Sequence, residues 1–352
     1  MTRRSRREAR QGVLAQERTA AHDNRIPVSA RAERTARKRR ARKKIKTIFA
    51  ALSLLIVAAI VAGALYYIDL HNRMTITEVP PSLLDTPTPP PTEPFNLVIF
   101  GDDARNPDEL ERADTIILMH VNPIEQRVWS VSIPRDTRVE LPGYGPQRIN
   151  AATAFGGPDM AIQAVEDLTG VDLDYFITIN FWGFEEIIDA MDGIYIDVPF
   201  AIDDPLADFT PDGRATRIDP GLQNLDGAHA LTFVRHRDGY VDGDFGRMGA
   251  QQLLIRAMIE QMSDVSLVRI PGIASSFADN IETNFTPFEL MQLGNEMRGI
   301  DPDNFYSTTL PSEWRAPFVW VDEEAAAEVW RNFGVAPFEV EEDYYDEPAT
   351  PE

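Results

Sequence analysis

The sequence predicts an α/β protein: a three-layer α/β/α sandwich around a central mixed sheet, preceded by one N-terminal transmembrane helix. Three observations carry this. Between residues 95 and 262, apolar runs of strand length alternate with 3.6-periodic segments of helical length. At 47–68, TIFAALSLLIVAAIVAGALYYI runs for 22 residues without a charge, enough to cross a bilayer core at about 1.5 Å per residue. Finally, the 352 residues include no cysteine, so the region 95–335 must be held by its own apolar core rather than by disulfides. The same absence excludes thiolate metal sites and cysteine nucleophiles.

Charge divides the chain in two. Residues 1–46 hold 17 of the 34 Lys and Arg against four acids, and the rest holds 17 basic residues against 52 acids, all within a net −22. The first part is read as a disordered basic tail that sets topology and meets anionic lipid. A nucleic-acid arm is the competing reading, but no aromatic residue precedes Phe49 and no binding fold is recognisable, so no nucleic-acid partner is expected. The apolar run is longer than a signal-peptide core and closes on Tyr66 and Tyr67, which suit the interface, so it reads as a retained single span. Positive flank first and acidic bulk after place 1–46 in the cytoplasm and 69–352 outside. Residues 69–94 form a juxtamembrane segment and linker. Within it, VPPSLLDTPTPPPTEP (79–94) has seven prolines and predicts a semi-rigid spacer. The acidic end, 336–352, is expected to be disordered.

Within 95–335, strands are predicted at 95–101, 115–121, 127–133, 175–181 and 194–200. Near-continuous apolar runs such as FNLVIFG suit strands covered on both faces. Helices are predicted at 156–170, where a Pro near the start and a terminal Gly bracket the periodic run, and at 182–193, 224–235 and 244–262, the last with Asp244 as N-cap. No internal repeat and no glycine-rich phosphate loop is found.

Three clusters are candidates for chemistry. Asp102 and Asp103 end one strand and Asp114 begins the next, an arrangement that suits one hard cation or, equally, ordinary turn and cap roles. Arg135 follows a strand and a proline in SIPRDTRVELPGYGPQRIN, with Arg138 and Arg148 nearby. Two readings of these arginines stand side by side, anion ligands and partners of Asp136 and Glu140. In FVRHRDGYVDGDFGRMGAQQ, Arg235 and Arg237 share a face only if the chain is extended beyond its helix. Asp244, Arg247 and Gln251 then fall along one face of the next helix, whose N-terminus favours an anion. A surface Arg–Asp network is the alternative there.

Taken in order, GDDAR…ERADTIIL, SIPRDTRVELPGYGPQRINAATAFGGP, FITINFWGFEEIIDAMDGIYIDV, LDGAHALTFVRHRD and GDFGRMGAQQ resemble the LytR–CpsA–Psr family of membrane-anchored cell-envelope proteins, over about 95–262. The resemblance implies a bacterial cell-membrane phosphotransferase that moves a glycopolymer from a polyprenyl-pyrophosphate carrier onto peptidoglycan or another envelope acceptor. It implies that Asp103 and Asp114 hold Mg²⁺ (or Mn²⁺), and that Arg135, Arg235 and Arg237 grip the pyrophosphate as catalytic residues. Asp244, Arg247 and Gln251 would surround the head group. Asp102 stands where the family more often has a small polar residue, which leaves the choice between the adjacent aspartates open. A polyprenyl-pyrophosphate phosphatase and a non-catalytic lipid-binding regulator remain alternatives. Residues 265–335 carry no family signature and are expected to complete the sandwich, with apolar helices lining a groove for lipid.

Overall fold

Strands of the central sheet alternate their side chains between two cores. In the computed structural model, which describes residues 28–73, 88–102, 112–204, 217–237, 240, 244–262, 265 and 269–338, the chain divides into two compact units, Met1–Tyr66 and Tyr67–Glu352. The elements in order are helix α1 (Val28–Arg73), strands β1 (Phe95–Asp102), β2 (Ala113–Asn122), β3 (Arg127–Ser132), β4 (Arg138–Leu141) and β5 (Gly145–Arg148), and helix α2 (Ala151–Thr169). Then come β6 (Tyr175–Asn180), α3 (Phe181–Ala190), β7 (Ile194–Val198), β8 (Ile202–Asp203), β9 (Arg217–Ile218), β10 (Gly221–Leu225), α4 (Gly227–Arg235) and α5 (Asp244–Met262). Helix α6 (Ile270–Asn280), β11 (Ile281–Thr283), α7 (Pro287–Met297), a 3₁₀ turn (Pro302–Asn304), β12 (Phe305–Thr309), β13 (Ser312–Arg315), β14 (Phe318–Val321) and α8 (Glu323–Asn332) complete the described chain.

The six-stranded sheet has the order β11-β6-β1-β2-β3-β12. It is mixed: β1 runs parallel to β6 and β3 to β12, while the remaining neighbours are antiparallel. Val98 and Phe100 of β1 join Ile116 and Leu118 of β2 in one core, against Ile162 and Val165 of α2 and Val329 of α8. Phe95, Leu97, Ile117 and Met119 face the opposite core, against Ile187 of α3, Ile259 of α5 and Ile273 of α6. The three-layer sandwich is therefore as expected. Both edge strands, β11 and β12, come from 265–335, the stretch whose residues the sequence reading could not assign.

Several boundaries differ from the expectation. Helix α1 begins at Val28, so 28–46, expected to be disordered, is helical. The segment 28–46 is rich in Ala, Arg and Lys and free of Gly and Pro, all of which favours helix. Its Lys46–Arg73 part is long and apolar enough to cross a membrane. The helix also takes in 69–73, placed in the linker by the sequence reading. In the second unit Arg73 pairs with Asp69 at 3.1 Å and with Asp279 at 2.8 Å. The far end of the proline spacer is docked, with Tyr175 Oη donating to the Pro89 carbonyl at 2.7 Å. Most of that spacer, and residues 339–352, lie outside the described residues.

Helix α2 starts five residues early. Gly156 (φ −143°) and Gly157 (φ 65°) break it, and Pro158 then opens the longer segment, the position where its missing N–H costs no hydrogen bond. The predicted helix 224–235 loses its first residues to β10. Asp226 caps it instead, accepting from His229 N at 2.9 Å.

Candidate functional site

Asp102, Asp114, Arg135, Arg235, Arg247 and Gln251 come together at one end of the sheet, where β1, β3 and β6 end and β2 begins, the usual ligand edge of an open α/β sheet, while Arg138 and Arg148 lie on the β4–β5 hairpin. A β-bulge shapes this end of the sheet. Gly101 pairs with Thr115 and Asp102 with Ala113, so Asp114 is one extra residue in β2, taken out of the ladder. Its side chain meets Arg135, whose Nη1 lies 2.7 Å from Asp114 Oδ1, both side chains about one-fifth exposed. Its carbonyl accepts from Arg247 Nη2 at 3.2 Å.

Beside the bulge, Thr115 Oγ1 accepts from Gln251 Nε2 at 2.9 Å, and the same amide lies 3.5 Å from the Val234 carbonyl. Gln251 thus joins β2 to the end of α4. Arg247 and Gln251 are buried beneath the bulge and brace it from α5, on which they lie four apart. Gln252, given no role by the sequence, donates to Ser132 Oγ at 3.0 Å and Thr308 O at 2.8 Å, tying α5 to β3 and β12. Gly101 leaves room for this packing: a Cβ there would stand 3.0 Å from Thr115 Cβ.

Arg235 ends α4, and its guanidinium lies 3.9 Å from the ring centroid of Phe181, the residue after β6. The chain is extended at His236 (φ −60°, ψ 138°), as the Arg235–Arg237 pair requires. His236 points inward, is buried, and lies 3.6 Å from Asp204, while Tyr240 packs edge-on against Phe200. These two residues, to which sequence reasoning assigned nothing, anchor the arginine segment. The alternation Arg-His-Arg was the available signal. Asp103 lies outside the described residues, and of Asp244 the structure describes only the backbone position that opens α5.

The donors around the bulge are oxygens and suit a hard cation. Burial, and then the charge of Asp102, raises the carboxyl of Glu282 above its ordinary pKa. Asp102 and Asp114 bring carboxylates, ligands of the type a hard divalent ion takes, to adjacent strand ends, with Asp114 paired to Arg135. Among the described residues, no group of three or more His, Asp or Glu is arranged as a metal site.

Behind this edge lies an apolar cavity of about 280 Å³ between the sheet and α5, α6 and α7, lined by Leu97, Met119, Ile259, Ile273, Leu293 and Met297 among others. Ile99 also lines it, three residues before Asp102, so the cavity approaches within roughly 10 Å of the strand ends at about 3.3 Å per residue. This is the apolar groove expected from 265–335, joined by β1, β2 and α5.

The domain thus combines an apolar cavity on one face of the sheet with a separate cluster of arginines and aspartates at the strand ends. The chain belongs to the LytR_cpsA_psr family, whose model matches residues 70–333. It is 33% identical over 210 residues to the polyisoprenyl-teichoic acid–peptidoglycan teichoic acid transferase TagU of Halalkalibacterium halodurans, covering 59% of this chain and 66% of that protein. It is 31% identical over 263 residues to TagU of Bacillus licheniformis, covering 71% and 81%. The match spans 50% of the length of Bacillus subtilis TagV. The crystal structure of B. subtilis TagV superposes with a TM-score of 0.60 at 29% identity, over 69% of this chain and 96% of that one.

Proposed function

We propose that the chain is a membrane-anchored phosphotransferase, with its N-terminus in the cytoplasm and its folded domain outside the bacterial cell membrane. It moves a glycopolymer from a polyprenyl-pyrophosphate carrier onto peptidoglycan or another envelope acceptor. The observation that carries this reading is the Asp114–Arg135 pair, braced by Arg247 and Gln251, at the edge of a sheet whose one face borders an apolar cavity. The names of the relatives, which are transferases of teichoic acid from a polyisoprenyl carrier to peptidoglycan, point the same way.

In the reaction proposed, an acceptor hydroxyl attacks the phosphorus that bears the sugar. The P–O bond to the lipid phosphate breaks, the hydroxyl loses its proton, and polyprenyl phosphate leaves. Such a diester is inert largely because its negative charge repels the nucleophile and must shift onto the leaving phosphate. Arg135, Arg235 and Arg237 neutralise that charge as it moves; Arg135 is held beforehand by Asp114, and Arg235 by the Phe181 ring. Arg247 and Gln251 hold the bulge in shape and act through Asp114 and Thr115. Magnesium or manganese, which we assign to Asp103 and Asp114, would add charge neutralisation when bound. The cavity takes part of the isoprenoid tail.

The test is complementation. In cells lacking this chain, Arg235→Ala and Asp114→Ala proteins, made at the unmutated level, should leave the envelope polymer unattached and shed into the medium. Attachment at the unmutated level by both variants would show the catalytic assignment to be wrong.

A further inference from the structure

Four of the seven aromatic residues that are exposed outside the membrane helix, among the described residues, lie around the β4–β5 and β13–β14 hairpins: Tyr144, Phe155, Trp314 and Trp320. Tyr144, in the β4–β5 turn, stacks on Phe155 of α2, with ring centroids 4.2 Å apart and planes at 9°. Arg138 lies 5.1 Å from the ring of Trp320, and Arg148 lies 5.9 Å from that of Trp314. Trp320 is also fixed by its Nε1–H, which donates to the Arg315 carbonyl at 3.2 Å. Each ring is thus held on one side by a guanidinium or another ring while keeping 38–55% of its surface exposed. Exposed rings of this size are costly in water, and rigid flat ones match the apolar faces of pyranose sugars.

The surface is continuous with the candidate site. Asp136, next to Arg135, takes Arg148 at 3.0 Å and accepts from Val319 N at 2.9 Å, joining the β13–β14 hairpin to the Arg135 loop. The two hairpins also sit on the opposite side of the sheet from the lipid cavity: Val139, Leu141 and Ile149 pack in the α2 core, not in the core that holds the cavity.

We propose that this aromatic surface binds the glycan strand of the acceptor. This rests on the transfer reading above. In an in-line displacement the attacking oxygen approaches opposite the leaving group, here the lipid phosphate, so the acceptor must come from the side away from the lipid cavity. Charge separates acceptor from donor polymer. Arg138, Arg148 and Arg315 each pair with an acid, Glu140, Asp136 and Glu313, so the surface offers little attraction to a polyanionic glycopolymer. A weakly charged sugar strand needs only the rings.

The test uses the full chain in detergent micelles, with soluble peptidoglycan glycan strands freed of stem peptides as one probe and a polyprenyl-pyrophosphate-linked disaccharide as the other. Trp314→Ala and Trp320→Ala should each weaken strand binding roughly tenfold, about 1.4 kcal/mol by calorimetry, and leave donor binding unchanged. The Trp→Phe variants should retain most of the affinity, which unfolding could not produce. If an alanine variant melts early, Tyr144→Ala, in an exposed turn, gives the same reading. Strand binding within twofold of the unmutated chain in all three alanine variants overturns the inference, and so does loss of donor binding in place of strand binding. If the rings bind strands but the chain transfers nothing, the inference stands and the transferase reading falls.

Discussion

Asp114 is held at two points, and the two contacts predict different losses. Removing its partner by Arg135→Ala should slow transfer by about 10²–10³-fold, the usual cost of deleting one charge-stabilising donor, with little change in melting because the pair is partly exposed. Gly101→Ala should act on shape instead. The new methyl meets Thr115 at 3.0 Å, within the Gln251 contact, so stability should fall by about 1–3 kcal/mol and activity with it. Urea unfolding and a transfer rate, measured together, separate the two cases. Away from the site, His120 is half-buried between Trp129 and Phe333, and its Nδ1 faces Asn96 Oδ1 at 2.8 Å. Burial lowers its pKa below 6.5, with Glu125 opposing. The unfolded chain therefore takes up the proton first as pH falls. Stability from the neutral ring is fully present above about pH 6.5 and declines below it, down through the folded pKa. The fall in melting temperature between about pH 7 and 5 should be smaller in His120→Gln than in the unmutated chain. The raised carboxyls of Glu166, Asp174 and Glu282 act with the opposite sign, so the difference between the two proteins is the informative quantity. The arginines were legible as residues because basic charge is sparse beyond residue 46, and Asp114 because it opens the predicted strand that follows the one ending in Asp102 and Asp103. Their geometry was not: a bulge leaves no mark on apolar periodicity, and Glu282 lies in a strand of only three residues.

At the scale of elements, α5 does most of the positioning. Arg247, Gln251 and Gln252 project from one helix to β2, α4, β3 and β12, so the helix fixes the site edge against the sheet. Gln252→Ala leaves Ser132 Oγ and the Thr308 carbonyl without this donor, and should cost about 1–3 kcal/mol while lowering activity only through position. An unchanged urea midpoint in that variant would contradict the bracing role. The same helix was clear in the sequence, since its 19 residues contain no proline and are rich in the helix formers Ala, Leu, Met, Gln and Arg. The start of α2 was misread for a physical reason: Gly-Gly-Pro resembles a helix beginning, and here it is a break inside one. Strands β11 to β14 are three to five residues long, too short for period-2 alternation to stand out, yet they supply both sheet edges and the aromatic hairpin.

For the whole molecule, the sheet divides the labour. The face covered by α5, α6 and α7 holds an apolar cavity, the edge holds the charged groups, and the other face carries the two hairpins. Filling the cavity should uncouple stability from function. Met262→Trp, at a partly buried wall position, should leave melting nearly unchanged and cut loading with polyprenyl phosphate at least tenfold by native mass spectrometry. The sandwich was predictable because its inner strands are nearly continuous apolar runs. The cavity's lining was only partly so, because apolar helix residues look alike in sequence whether they fill a core or border a void. The most direct measurement on the central claim is a reconstituted transfer by the full chain with magnesium, a polyprenyl-pyrophosphate-linked glycan and peptidoglycan oligomers. The expected result is a glycan joined to the oligomer through a phosphodiester, formed with release of polyprenyl phosphate and lost in Arg235→Ala. Hydrolysis of the lipid pyrophosphate with no joined product, at the same rate with or without the oligomers, would contradict it.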